Sequence, residues 1–131
     1  MADTGKLVLR LTLGLLILLH GISKVMNGID PILAGVTKAG LLQAFGYLVY
    51  VGEVLAPILI IIGFVTRPAA LVIAINMIVA VYLVHTSQIF TLTKQGGWAL
   101  ELQGMYFFTA IAIALLGAGR FSVGGTANRW N

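Results

Sequence analysis

Few side chains in this sequence can do chemistry, and most of those that can stand in or beside apolar runs: Arg10, His20, Lys24, Glu53, Asn76, His85 and Glu101. Glu53 asks the most of its surroundings, because it interrupts the stretch YVGEVLAPILIIIGF. A carboxylate in hydrocarbon is costly, so it faces a protein interior and takes a partner or a proton. Pro57 follows four residues later and has no N–H, which leaves the Glu53 carbonyl without its helical donor. An acid on a loosened, polar turn can take a hydrogen bond from a neighbouring helix, a water or a ligand. The alternative is structural, a bond from Glu53 to Asn76 or Tyr50 that ties helices together.

Helical periodicity groups these residues into faces. Arg10, Gly14, Gly21 and Lys24 form one stripe, with His20 flanking it. Gly46, Tyr50, Glu53 and Pro57 form a second; Ala69, Asn76, Ala80 and Leu83 a third; Glu101, Gly104, Phe108 and Ala112 a fourth. Each mixes a polar group with small residues that let helices approach closely, so these faces are expected to point inward. His85 falls on the opposite side from Asn76, as a cap or interfacial residue. The expected catalytic groups are Glu53, His20 and Lys24, and the expected ligand-binding groups are Arg10, Glu53, Tyr50, Asn76 and Glu101. Arg10 has the alternative of reaching to headgroups, and Glu101 that of serving the helix dipole. A metal centre from His20, His85, Glu53 and Glu101 fits by ligand type, but no spacing supports it and none is expected.

The elements that position these residues follow from composition. The 131 residues are 60% hydrophobic and 9% charged, with a mean hydropathy of +1.04, whereas a soluble domain is roughly 25% charged. Such a chain cannot cover a water-facing surface. Apolar segments at 6–26, 41–64, 68–86 and 98–118 each approach the roughly 20 residues needed to span a bilayer. They predict an all-α, single-domain integral membrane bundle of four transmembrane helices over 1–131. The first is read as a retained span, since no small-residue cleavage site follows it. The apolar patch 31–36 in the first long connection is expected to lie along the membrane interface. There is no cysteine, which excludes thiol catalysis and thiolate-held metals.

With four spans both termini share a side. Lys6, Arg10, Arg67, Arg120 and Arg129 lie there, against Lys24, Lys38 and Lys94 on the other. That excess predicts cytoplasmic termini; the membrane itself is expected to be a bacterial or archaeal inner membrane. Counting about 1.5 Å per residue along the spans places Glu53 near mid-plane, with His20, Lys24, His85 and Glu101 towards the outer mouth. The net charge of +4 forms no dense patch, so no nucleic-acid partner is expected.

Three motifs, in order, carry a resemblance. LVLRLTLGLLILLHGISKVMNG, VGEVLAPILIIIGFVTRPAAL and ALELQGMYFFTAIAIALLGAGRFSV resemble the first, second and last spans of DoxX-family membrane proteins. The resemblance implies a four-helix membrane protein with Arg10, Lys24, Glu53, Glu101 and Arg120 as functional positions. Some relatives are the membrane subunit of an enzyme passing electrons from thiosulfate to quinone; others are associated with redox-defence proteins.

The leading expectation is a quinone-interacting subunit of a membrane redox complex. A quinone needs an apolar slot, hydrogen-bonding groups at its carbonyls and a proton route, which Glu53, His20 and Lys24 can supply. No cluster-ligation pattern, dinucleotide fingerprint or haem-spaced histidine pair is present, so other redox subunits must bring the electrons. No covalently bound cofactor is expected. The alternatives are a non-catalytic assembly or scaffold protein, and a small-molecule carrier acting as an oligomer.

Overall fold

The computed structural model describes the backbone of residues 1–131 and all side chains except those of 84–86; the position expected for His85 therefore lies outside the described side chains. Among the described residues the fold is helical, with five α-helices and no strand beyond an isolated bridge between Leu92 and Trp98. α1 (Ala2–Asn27) is a single helix of 26 residues, about 39 Å long. It buries Arg10, Leu13, Gly14, Ile17 and Gly21, a spacing of three and four that traces one face. The apolar patch of the first connection is itself helical: α2 (Asp30–Lys38) carries Pro31 in its first turn and buries Leu33 and Val36.

The second expected span is composite. A 3₁₀ stretch (Gln43–Leu48) leads into a π-helical turn (Val51–Leu55) and then α3 (Ala56–Ile62). The Ala56 N–H bonds the Val51 carbonyl five residues back. Pro57 is the cause, because a proline cannot donate to the carbonyl four residues earlier and its ring crowds it; widening the preceding turn accommodates both effects. Gly63 closes α3 in the left-handed region at φ 77°. Val65 follows at φ 42°, an unusual conformation for a β-branched residue, and reverses the chain into α4 (Thr66–Ala80). A second π turn (Val81–His85) and a 3₁₀ turn (Thr86–Gln88) extend it.

α5 (Glu101–Leu116) has 16 residues and begins three residues later than expected. Trp98 instead anchors the preceding loop, its indole N–H donating to the Ile89 carbonyl. Among the described residues, three helical stretches, Ala2–Asn27, Gln43–Ile62 and Thr66–Leu83, are long and apolar enough to cross a membrane; α5 is apolar but shorter.

α1 packs on α3, α3 on α4, α4 on α5 and α5 on α1. The core between them includes Leu13, Ile17, Ile60, Ile73, Met77, Tyr106, Ala110 and Ile113. On α5 the inward face is Tyr106, Ala110 and Ile113. The expected stripe through Glu101 and Phe108 does not face inward: both are exposed, Phe108 at 67%. α5 is apolar around its whole circumference, so its hydrophobic pattern carries little phase information.

Residues 117–131 fold back over one end of the helices. The Val123 and Gly124 N–H groups donate to the Ile62 and Gly63 carbonyls, and the Arg67 N–H to the Trp130 carbonyl. Asn131 is buried, and its Oδ1 accepts from both the backbone N–H and the hydroxyl of Thr66.

Candidate functional site

The polar residues separate into two clusters at different levels of the fold. The first centres on Arg10, which is 1% exposed. Its Nε donates to Ile60 O (2.9 Å), its Nη1 to Ala118 O (2.8 Å) and Phe121 O (2.9 Å), and its Nη2 to Ile61 O (3.1 Å). These carbonyls belong to the end of α3, where helical acceptors lose their intrahelical donors, and to the returning tail. Arg10 therefore neither reaches outward to headgroups nor joins Glu53; it fastens α1 to α3 and the tail. Arg67 does related work, with Nη1 donating to the Ala114 and Leu115 carbonyls at the end of α5. Arg120 is on the surface, 3.9 Å from Asp3.

The second cluster centres on Glu53, which is 4% exposed and sits in the π turn. Its Oε1 pairs with Lys24 Nζ of α1. Its Oε2 accepts from Asn76 Nδ2 of α4 at 3.2 Å. Tyr50 lies one turn earlier and donates its hydroxyl to the Lys24 carbonyl at 3.4 Å. Three chain segments thus meet on one carboxylate.

Two glycines make that meeting sterically feasible. A Cβ on Gly21 would lie 2.0 Å from the Glu53 carbonyl oxygen, and one on Gly52 would lie 2.7 Å from Asn76 Cβ. α1 and α4 can approach Glu53 this closely only where no side chain intervenes. Losing one partner of a buried pair costs about 3–5 kcal/mol. Lys24 keeps 29% of its side chain exposed, so the pair is sealed at the carboxylate and open at the ammonium, which favours the lower end of that range.

A cavity of about 230 Å³ adjoins the pair. Lys24, Glu53 and His20 line it together with Met77, Gln103 and Tyr106. His20 is exposed at its rim, and its ring meets the Tyr106 ring edge-on at 5.9 Å. The structure thus gathers Glu53, Lys24, His20, Asn76 and Tyr50, and leaves out Arg10 and Glu101. Glu101 is exposed at the start of α5, with its carboxylate over Gly97.

Gln103, Tyr106 and Met77 complete the cavity and were not among the expected site residues. Gln103 and Tyr106 stand three apart, a polar pair one helical turn from each other in an otherwise apolar helix, and that was the available signal. The arrangement can hold a neutral, hydrogen-bonding head group beside an acid that already has a cation and an amide as partners.

The DoxX family model matches residues 5–86, which include the Glu53, Lys24 and Asn76 cluster and stop short of α5. No curated protein and no solved structure gives a significant match.

Proposed function

The chain belongs to the DoxX family, and from that premise we propose that it is an integral membrane subunit of a quinone-linked redox complex. The observation that carries the proposal is the buried Glu53, held by Lys24 and Asn76 beside a cavity that also presents His20, Gln103 and Tyr106. A bound quinone would supply the two-electron, two-proton chemistry, with electrons delivered by partner subunits. The chain's own residues bind and protonate. The Gln103 amide and the Tyr106 hydroxyl offer donors to a carbonyl oxygen. Glu53 holds a proton-accepting carboxylate away from water, and Lys24 connects it to the open rim. In the membrane, α5 makes the fourth crossing, completing a single bundle of four transmembrane helices in an inner membrane. Both termini are cytoplasmic, as the distribution of lysine and arginine supports.

The test is purification from native membranes with co-purifying proteins and quinones identified, followed by quinone reduction by that complex carrying Glu53→Gln. The substitution keeps the shape and one hydrogen-bond acceptor and removes the charge and the exchangeable proton. Loss of quinone reduction in an assembled, stable complex is expected. Unchanged turnover would refute the catalytic reading and leave Glu53 as a tie between helices, which is how a scaffold protein would use it.

A further inference from the structure

The Glu53 cavity shares a wall with a second cavity. It measures about 290 Å³ and lies between α4, α5 and the loop before α5. Ile78, Val81, Trp98, Gly104, Phe107 and Phe108 line it, and it presents almost no polar surface. Met77 and Gln103 line both spaces. Small-molecule sites usually occupy roughly 300–1,000 Å³. Each cavity alone falls short of that range, and the two joined fall within it. The chemistry changes across the shared wall, from acid, amine, amide and phenol on one side to aliphatic and aromatic side chains on the other. Met77 is an unbranched thioether that can change rotamer without a polar penalty. Gln103 can turn its amide towards the polar side while its methylenes face the apolar one. The smallest residue in the groove, Gly104, is one position from Gln103; a Cβ there would come within 2.8 Å of the Trp98 ring.

We infer that the two cavities form one site for a chain-bearing amphiphile. Its neutral head lies beside Glu53, and its linear apolar chain passes Met77 and Gln103 into the groove between α4 and α5. This rests on the quinone reading and adds a tail subsite to it. Charge supports a neutral head, because the Glu53 carboxylate is already paired with Lys24 and a second anion or cation there would stand unpaired.

The experiment uses the full chain in lipid nanodiscs and two photoreactive benzoquinones, one with a diazirine beside the ring and one with it near the end of an alkyl chain. Adducts are mapped by mass spectrometry. The ring probe should label Tyr106 or Gln103, and the chain probe Phe107, Phe108 or Trp98. Excess unlabelled quinone of the same structure should abolish both sets. Ile78 is 55% exposed, so Ile78→Trp has room to fold; it should remove the chain adducts and keep the ring adducts. Ring adducts in the cavity with chain adducts spread over outward residues such as Leu15 and Leu19 would overturn the tail subsite and leave the quinone reading intact. Absence of competable ring adducts would overturn both.

Discussion

Gly21→Ala adds one methyl group, and the structure fixes where it goes. The new Cβ would lie 2.0 Å from the Glu53 carbonyl oxygen, 2.6 Å from the carbonyl carbon and 2.9 Å from Val54 Cγ2. Two of those three atoms are backbone and cannot rotate away, so α1 must retreat by more than an ångström or the π turn must deform. Overpacking of this kind costs about 1–3 kcal/mol. Retreat of α1 also draws Lys24, one turn further on, away from Glu53, and complete loss of a buried pair costs about 3–5 kcal/mol. Against this, alanine gains about 1 kcal/mol of helix propensity over glycine. With the pair stretched to about half its worth, the balance is a destabilisation of about 2–4 kcal/mol. Gly5→Ala in the same helix is the control: nothing lies within 4 Å of its added Cβ, so only the propensity term remains and its sign reverses. Reversible unfolding of both variants by denaturing detergent titration reads the difference. A Gly21→Ala protein as stable as Gly5→Ala would refute the claim that glycine sets the distance between α1 and Glu53.

Glu53→Leu should cost about 3 kcal/mol or more by stranding Lys24 and Asn76, and Glu53→Gln, which loses the charge but keeps an acceptor for both, should cost clearly less; equal losses would show that charge and not hydrogen bonding holds the cluster. Arg10→Met leaves the Ile60, Ile61, Ala118 and Phe121 carbonyls without their donor. It should destabilise by at least about 3 kcal/mol, with Arg10→Lys recovering little, since an ammonium cannot match a planar fork; quinone reduction per folded molecule should stay unchanged, and its selective loss would place Arg10 in the redox site. Because the chain has no cysteine, Asn27→Cys and Ala127→Cys give clean topology probes. They lie towards opposite ends of α1, which Arg120 and Asp3 tie to the returning tail, so impermeant maleimide should reach them from opposite faces; labelling from one face would defeat the proposed crossing number.

Much of the inward geometry was legible from spacing. The stripe Arg10, Gly14, Gly21 is buried as expected, and so are Gly46, Glu53 and Pro57 of the second. Small residues beside polar ones marked those faces because close helix approach is itself a steric requirement. The same rule failed on α5, where Gly104 and Glu101 suggested a face that the structure turns outward. A helix that is apolar all round has no polar side to correct the phase, and Glu101 sits in the first turn where the helix dipole suffices to explain it. The composite second span was signalled by Pro57, yet the register of the π turn depends on how α1 and α4 press on Gly21 and Gly52, a tertiary fact. The order in residues 117–131 was not legible at all. Its hydrogen bonds run to the ends of α3 and α4, and a polar, glycine-rich segment shows no periodicity from which such pairings follow.

The contrast between Arg10 and Glu53 explains why one buried charge reads as structure and the other as a site. A guanidinium has five N–H donors, and Arg10 makes four hydrogen bonds, all to backbone carbonyls that need a donor. Its capacity is nearly exhausted, and no described cavity is lined by it. A carboxylate has about four acceptor positions, and Glu53 engages Lys24 and Asn76. Acceptor capacity is left over, and a cavity lies beside it. Lys24 reinforces the difference, because its partly exposed ammonium can exchange water for carboxylate, whereas the carbonyls around Arg10 cannot be exchanged without opening the end of α3. A ligand that offered Glu53 a donor would therefore compete only with a pair that already borders the rim. The π turn makes this possible. It places the acid one turn before Pro57, where the backbone has departed from regular α-helical pairing, so a change in the carboxylate's partners need not break a regular helical turn.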